Sequence, residues 1–268
     1  MRTVMVGDLP VRRIGLGVLR LVLGRTVPTP DEAVALLRAA VDAGVNHVDT
    51  FAAYPGAHEL IRRALAPYPD DLLISTKTPL QAKPEELAAH VKADLRRLGR
   101  DRLDLVYLRA GTVTSAPGGE SVGERFAALD ALRREGLIRH LGLSHVDAAQ
   151  LAEARAIAPV AAVQNRFHVH DTADHDLVEE CGWRGIAYVP YFPLGGGPVP
   201  LDRARLAPVA ARRGGTVEQV ALAWLVAVSP VTLPIPGTGS IRHLRENVFA
   251  GDLTLHEEDL AELSTVDG

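Results

Sequence analysis

The 268-residue sequence contains a single cysteine, Cys181, so it cannot form an internal disulfide. Aromatic residues make up only 4% of the chain, and the formal net charge at pH 7 is only −4. A nucleic-acid surface requires Lys and Arg clustered on one face, and a slightly negative net charge does not favour such a surface. No run approaches the roughly 18 apolar residues of a membrane span. Residues 1–10 also lack the apolar core of a signal peptide. We therefore expect a cytoplasmic protein that binds neither nucleic acid nor membrane.

Apolar residues make up 47% of the chain, enough to bury one large core. Short, almost continuously apolar runs recur about once per thirty residues, as in parallel strands covered by helices on one face. A parallel β/α barrel typically needs about 250 residues. We therefore predict an α/β fold, a single (β/α)8 TIM barrel over residues 1–268, with a short N-terminal β-hairpin in residues 1–11. The predicted strands are 14–19, 45–51, 72–77, 103–109, 138–144, 160–166, 186–192 and 231–236.

Helix start and stop signals lie between these runs. Capping boxes are predicted at Thr29, Ser121, Asp147 and Thr216, each three residues before a Glu or Gln and each opening an amphipathic segment. Gly44, Gly99 and Gly136 stand where the preceding helices should end, because glycine readily adopts the left-handed conformation of a C-cap.

Four chemically active side chains fall at or just past the C-terminal ends of predicted strands: Asp49, Tyr54, Lys77 and Arg109. In a parallel β/α barrel these ends meet at one rim, where such enzymes keep their active sites. Taken singly, an Asp after a strand is usually a cap, a Tyr is usually packing and a Lys is usually solvated. Together, a carboxylate, a phenol and an ammonium at one rim indicate a site for proton transfer.

Several motifs in order resemble the aldo-keto reductases over nearly the full chain. They are Gly44-Val-Asn-His-Val-Asp-Thr50, Tyr54, Ser75-Thr-Lys77, Arg139-His-Leu-Gly-Leu-Ser144, Val163-Gln-Asn165 and Ile235-Pro-Gly-Thr238. The segments ending at Arg109 and covering 191–196 and 243–247 resemble a bacterial branch that includes pyridoxal reductases.

The resemblance implies hydride transfer from NADPH to the carbonyl of a small aldehyde or ketone, giving an alcohol, with a pyridoxal-like aldehyde among the candidate substrates. Tyr54 is then the general acid. An unperturbed tyrosine has a pKa of about 10, and we expect the Lys77 ammonium, held by Asp49, to lower it.

Arg109 departs from the family pattern, which usually has a histidine at this position. Arginine stays charged and cannot shuttle protons. It can still donate hydrogen bonds to a carbonyl oxygen, or bind a carboxylate or phosphate of the substrate. We therefore expect Arg109 to orient the substrate, with a rim salt bridge to a nearby carboxylate as the structural alternative.

The resemblance also places the cofactor. It assigns Ser144 and Gln164 to the nicotinamide carboxamide, with His145 where the family usually has asparagine, and Tyr191 to stacking on the nicotinamide ring. Residues 236–240 lead into a helix whose free N–H groups bind phosphate. Because Arg242 and His243 lie near the expected 2′-phosphate, NADPH is favoured, and NADH remains possible. The other predicted cofactor-binding residues are Pro193, Leu194, Gly195, Gly237, Thr238, Gly239, Ser240, His243, Glu246 and Asn247.

Two glycine-rich loops, 110–119 and 194–200, follow strands and are predicted to be substrate lids, although the first could equally be a solvated connection. The His168, His170 and His175 cluster lacks acidic or thiol partners at metal-ligand spacing, so no metal site is predicted. The alternative function is a nucleotide-binding barrel diverted to redox sensing or to a non-hydride reaction. Retention of Asp49, Tyr54 and Lys77 together argues against it. No sequence pattern specifies an oligomeric state.

Overall fold

The N-terminal hairpin lies at one end of the barrel. The computed structural model describes residues 3–196 and 199–264, and Met1 and Arg2 of the predicted hairpin lie outside this part. Strands β1 (Thr3–Val6) and β2 (Leu9–Arg12) pair antiparallel, as predicted. Asn46 accepts a hydrogen bond from the Arg12 amide at 2.9 Å and donates to the Pro10 carbonyl at 3.1 Å. Because Asn46 directly precedes a barrel strand, the hairpin covers the N-terminal end of the barrel.

Seven parallel strands follow one another in sequence order, which confirms the predicted β/α architecture. Their side chains are buried on both faces, which explains why the sequence runs are so continuously apolar. The strands are β3 (Leu16–Gly17), β4 (His47–Asp49), β5 (Leu73–Lys77), β6 (Leu103–Arg109), β7 (Ile138–Ser144), β8 (Ala162–Gln164) and β9 (Ala187–Tyr188).

Residues 231–236 occupy the place of the eighth strand, although only one bridge, Tyr188 to Thr232, has strand geometry. On one side the backbone amide of Tyr188 donates to the Val231 carbonyl at 2.9 Å. On the other side Gly17 donates to the Pro236 carbonyl at 3.3 Å. A Cβ atom on Gly17 would lie 2.8 Å from the Ile235 carbonyl oxygen, so glycine permits this close approach. The segment therefore joins β9 to β3 and closes the ring.

Helices connect the strands, with a 3₁₀ turn at Pro84–Glu86 before α4. They are α1 (Leu19–Val22), α2 (Pro30–Asp42), α3 (Ala57–Leu65), α4 (Leu87–Leu98), α5 (Gly123–Arg134), α6 (Ala148–Ile157), α7 (His175–Arg184), α8 (Arg203–Arg213), α9 (Val217–Val228), α10 (Ile241–Phe249) and α11 (Glu257–Ser264). Within the described ranges, no helix is both long and apolar enough to cross a bilayer.

The capping boxes predicted at Thr29, Asp147 and Thr216 are confirmed, each with both reciprocal hydrogen bonds. The one predicted at Ser121 is wrong, because α5 begins at Gly123 with Val122 as its N-cap residue. The Glu153 carboxylate of α6 instead accepts hydrogen bonds from the Val122 and Gly123 amides at 3.0 and 3.1 Å. A neighbouring helix thus supplies the negative charge that a helix N-terminus favours.

Candidate active site

Asp49 and Lys77 form a buried ion pair at the C-terminal ends of β4 and β5. Lys77 Nζ lies 2.7 and 2.8 Å from the two carboxylate oxygens of Asp49 and 3.0 Å from the Thr50 carbonyl oxygen. An ammonium has three N–H donors, so these contacts use all of them. Burial lowers the pKa of Lys77, whereas the Asp49 carboxylate acts in the opposite direction. Asp49 therefore helps to hold a buried amine in its charged form.

Two further side chains hold Asp49 in place. Oδ2 of Asp49 accepts hydrogen bonds from Ser75 Oγ at 2.8 Å and from Gln164 Nε2 at 2.9 Å. Ser75 Oγ also lies 3.0 Å from His47 Nε2. Burial lowers the pKa of His47 to about 4, so the ring is neutral at physiological pH. Since Ser75 gives its proton to Asp49, His47 Nε2 must carry the proton that Ser75 accepts.

Ser75 and His47 were missed in the sequence, although strand periodicity could have found them. Alternate residues of a strand share a face. Ser75 therefore lies on the same face of β5 as Lys77, and His47 on the same face of β4 as Asp49. All four side chains point toward one polar cluster at the end of an otherwise apolar barrel.

Tyr54 lies just beyond β4, half-buried, with its ring edge-on to Phe51 at a centroid distance of 5.5 Å. Burial raises the pKa of Tyr54 to about 12, the Asp49 charge adds to this, and the Arg109 charge opposes it. The expected lowering of this pKa by Lys77 is wrong for this structure. The Lys77 charge is neutralised by the Asp49 carboxylate beside it, and Arg109 is the cation that acts on the phenol.

Arg109 ends β6 and reaches the same cavity. Its Nε donates to the Gly111 carbonyl at 3.0 Å, and its guanidinium carbon lies 5.5 Å from the centre of the Phe51 ring. Within residues 3–196 and 199–264, Arg109 forms no ion pair with a carboxylate. The salt-bridge alternative thus has no support there, and the guanidinium is placed to act on a ligand.

A cavity of about 660 Å³ opens at the C-terminal ends of the strands. Gly111 and Val113 of the first predicted lid line it, as do Leu194 and Gly195 of the second. Gly197 and Pro198 of the second loop lie outside the described residues. The predicted site residues on its wall are Asp49, Tyr54, Lys77, Arg109, Ser144, His145, Gln164, Tyr191, Pro193, Leu194, Gly195 and Gly237.

A second cavity of about 640 Å³ adjoins the first, and Thr238, His243, Glu246 and Asn247 line it. The two cavities share the lining residues Leu194, Arg203, Glu218 and Gly237. Together they form an elongated groove that ends at the start of α10.

Ser240 is the N-cap of α10, and its hydroxyl accepts the His243 amide N–H at 3.4 Å. Gly239 and Ser240 themselves line neither cavity. Arg242 is 72% exposed, and its guanidinium lies 2.7 Å from the Glu246 carboxylate.

Three charged groove residues were not predicted. Arg20 is exposed, lines the first cavity and has no ion-pair partner among the described residues. It directly follows the first predicted strand, so the rule that selected Asp49 and Arg109 also applied to it. Arg203 at the start of α8 and Glu218 in α9 form an ion pair between the two cavities. Nothing in the sequence pattern pairs these two residues.

The histidine cluster after β8 has a structural explanation. His168 is fully buried, and its Nδ1 lies 3.3 Å from the His170 amide nitrogen. His170 Nδ1 accepts a hydrogen bond from the Asp202 amide at 3.1 Å. In the part of the chain that the structure describes, no three His, Cys, Asp or Glu side chains are grouped as metal ligands. These histidines hold the chain that leads into α8.

The fold is a β/α barrel with charged side chains in a cavity at the C-terminal ends of its strands. The Aldo/keto reductase family model matches residues 13–267, so the chain belongs to the aldo/keto reductase family, whose members are NAD(P)H-dependent oxidoreductases. The chain is 42% identical to pyridoxine 4-dehydrogenase of Escherichia coli (strain K12), over 99% of this chain and 97% of that protein. It is 36% identical to an uncharacterised oxidoreductase of Schizosaccharomyces pombe, over 97% and 88% of the two chains.

Solved structures agree with this assignment. An aldo-keto reductase from Klebsiella pneumoniae in complex with NADPH superimposes with a TM-score of 0.84 at 29% identity, covering 98% of this chain and 93% of that one. The overall fold is therefore that of a known family of enzymes.

Proposed function

We propose that this protein uses NADPH to reduce the carbonyl of a small aldehyde or ketone to an alcohol, with a pyridoxal-like ring aldehyde as the first candidate substrate. One observation carries the proposal. Asp49, Tyr54, Lys77 and Arg109 line a single cavity, and a second cavity adjoins it through shared lining residues. The substrate candidate comes from the name of the Escherichia coli relative, pyridoxine 4-dehydrogenase.

The residues along the groove suit NADPH. Ser144 and Gln164 offer polar groups at the inner end, beside Tyr191 for ring stacking. Further along, the exposed Arg20 suits a pyrophosphate, and the start of α10 suits a phosphate because helix N-termini attract anions. Asn247 is buried and lines the outer cavity, where a base can meet its amide. When bound, NADPH supplies the hydride.

The chain itself supplies the proton and the charge. With its pKa raised to about 12, Tyr54 keeps its proton at neutral pH, so it can donate the proton as alkoxide character develops on the substrate oxygen. Arg109 stabilises both the developing oxyanion and the phenolate left behind, because a fixed cation is most effective in a site that excludes water. The Asp49–Lys77 pair holds a preorganised polar wall beside them, which limits reorganisation during the reaction.

Tyr54→Phe tests the proposal directly. We expect aldehyde reduction, followed by loss of NADPH absorbance, to fall by at least about 10²-fold, because general-acid catalysis contributes roughly 10²–10⁴-fold. NADPH binding, measured by fluorescence titration, should change little. Tyr68→Phe is the matched control, since Tyr68 Oη donates to the Leu98 carbonyl at 2.6 Å, outside the lining of the active-site cavity. Its turnover should equal that of the wild type.

Two outcomes count against the proposal. Wild-type turnover in Tyr54→Phe would remove Tyr54 as the acid. Tight NADPH binding by the wild type, with no reduction of pyridoxal or of simple aromatic and aliphatic aldehydes and ketones, would favour the alternative of a nucleotide-binding barrel with a redox-sensing or non-hydride role.

A further inference from the structure

His145 stands at the junction of β7 with the cavity, directly after Ser144. Its φ angle is +64°, in the left-handed region that Asn, Asp and His adopt more readily than other side chains with a Cβ. The residue is 4% exposed, so its ring is held among protein atoms on the cavity wall. The family resemblance puts His145 in place of the usual asparagine beside the nicotinamide carboxamide, yet both of its ring nitrogens contact other protein groups.

The two nitrogens of His145 have partners on different segments. Nδ1 lies 2.9 Å from the hydroxyl of Tyr191. Nε2 lies 3.0 Å from the carbonyl oxygen of Ser115 and 3.2 Å from the Ser115 hydroxyl. Ser115 belongs to the 110–119 loop that follows β6, whereas Tyr191 follows β9. One imidazole therefore bridges the loop over the substrate side and the aromatic residue on the cofactor side.

The partners fix the proton on the ring. A carbonyl oxygen can only accept, so Nε2 carries the hydrogen that it donates to Ser115. Burial lowers the pKa of His145, the Ser115 and Ala116 backbone opposes this, and the charges of Arg109 and Arg166 lower it further. The ring is thus neutral at physiological pH. Nδ1 is then unprotonated and accepts the O–H of Tyr191.

The start of the 110–119 loop leaves space for the His145 ring and is held by hydrogen bonds. A Cβ atom on Gly111 would lie 2.1 Å from Cδ2 of His145, so only glycine leaves room for the imidazole. Two further bonds tie the start of the loop, from Arg109 Nε to the Gly111 carbonyl at 3.0 Å and from Arg166 Nη1 to the Val113 carbonyl at 3.2 Å. Beyond Val113, the bond from His145 to Ser115 continues this attachment toward the middle of the loop.

We propose that His145 is a positioning residue that fastens the 110–119 loop to the hydroxyl of Tyr191, and that it does not bind the nicotinamide carboxamide. Closure of the substrate side and placement of the ring that stacks on the nicotinamide then depend on one imidazole. The kinetic consequence rests on the proposed function, whereas the attachment itself is a property of the protein without cofactor.

Two amide substitutions separate the two halves of this link. The amide of asparagine reaches about as far as Nδ1 of histidine, and that of glutamine about as far as Nε2. His145→Asn should therefore keep the Tyr191 contact and lose Ser115, and asparagine also tolerates the left-handed backbone. His145→Gln should keep Ser115 and lose Tyr191. Tyr191→Phe removes only the hydroxyl, keeps the aromatic ring and gives a second test that does not depend on how well His145→Gln folds.

Hydrogen–deuterium exchange of the cofactor-free protein measures how firmly the backbone of the 110–119 loop is held. We expect faster exchange of residues 110–119 in His145→Asn than in the wild type, and wild-type exchange in His145→Gln. Nitrogen NMR of the wild-type imidazole should report a neutral ring protonated at Nε2. Equal loop exchange in the wild type and His145→Asn, or a ring protonated at Nδ1, would overturn the proposal.

Steady-state kinetics tests the contact between His145 and Tyr191. His145→Gln and Tyr191→Phe should each lower kcat about tenfold, as expected for loss of one hydrogen bond that positions a reacting group. The double variant should be no slower than either single variant, because both changes break the same bond. Additive losses would contradict the link between His145 and Tyr191. A wild-type protein that reduces no carbonyl would instead refute the proposed function, while the exchange and NMR results would still decide the attachment.

Discussion

Asp49 is the residue on which the polar cluster depends. Its carboxylate accepts hydrogen bonds from Lys77, Ser75 and Gln164. A buried carboxylate is stable only when its oxygens are satisfied in this way. The same bonds fix the orientation of Lys77, so residues outside the cavity wall contribute to its geometry.

Ser75→Ala tests this dependence. It removes one donor to Asp49 and the link to His47, so we expect kcat to fall about tenfold, the effect of losing roughly 1.4 kcal/mol of charge-assisted hydrogen bonding. Steady-state kinetics with an aldehyde that the wild type reduces provides the measurement. Thr76→Val is the control on the opposite face of β5, where Thr76 Oγ1 donates to Asp94 at 3.1 Å. Equal losses of kcat in both variants would mean that general damage to β5, not Asp49 placement, is responsible.

The residues of this cluster show how much of the site the sequence predicts. Asp49, Lys77 and Arg109 were placed correctly on the cavity wall because parallel strands in a barrel all end at one rim. The pKa of Tyr54 was not predicted correctly, because it depends on which oxygen, amine or guanidinium lies nearest and on how deeply the phenol is buried. Those quantities exist only in three dimensions.

At the scale of elements, three of the four local capping signals were confirmed and one was overridden by a neighbouring helix. Capping boxes involve residues three apart, so Thr29, Asp147 and Thr216 could be identified directly. Ser121 has the same pattern, but the Glu153 carboxylate from another helix takes over its role. The β6 and β7 bounds match the predicted runs, whereas β3 and β9 are only two residues long and lie inside the predicted strands 14–19 and 186–192.

Helix α4 faces β5 through Asp94, a buried carboxyl outside the active site. Burial raises the pKa of Asp94 to about 6, while the Thr76 hydroxyl acts against this. An acid whose folded pKa is raised destabilises the fold when ionised, fully above pH 6 and not at all below its unfolded value of about 3.9. The stability cost therefore disappears as the pH falls through this window.

Asp94→Asn should remove that cost. We expect its free energy of unfolding to exceed that of the wild type by about 1–3 kcal/mol at about pH 8, and by nearly nothing at about pH 4. Urea unfolding at the two pH values measures the difference. Asp42→Asn, at an exposed position of α2, should change little at either pH. A gain for Asp94→Asn that does not depend on pH would show that ionisation is not its cause.

At the scale of the whole molecule, the groove runs from the cavity wall that carries Asp49 and Tyr54 to the start of α10. A ligand that binds only the folded state at 100 times its Kd stabilises it by about 2.7 kcal/mol. For a protein of this size that corresponds to a rise in Tm of roughly 5 °C. We expect NADPH to produce a rise of this order, and NADH a smaller one at the same concentration. The reason is our proposal that Arg242, which lines the outer cavity, forms a charge-assisted bond with the 2′-phosphate.

Arg242→Ala should bring the NADPH shift close to the NADH shift, measured by thermal unfolding. Arg245→Ala is the matched control, since Arg245 is exposed on the same helix and lines neither cavity. Equal shifts with NADPH and NADH in the wild type would contradict the expected cofactor preference.

The extent of hydrogen-bonded pairing differs from one pair of barrel strands to the next. β5, β6 and β7 carry Lys77, Arg109 and Ser144 on long, well-paired strands, whereas β3 and residues 231–236 meet through a few hydrogen bonds. Gly17 and Pro236, on opposite sides of this seam, both line the cavity. A dinucleotide in the groove would contact both sides of this junction. We expect local opening of the ligand-free protein to be easiest there, away from Lys77, Arg109 and Ser144.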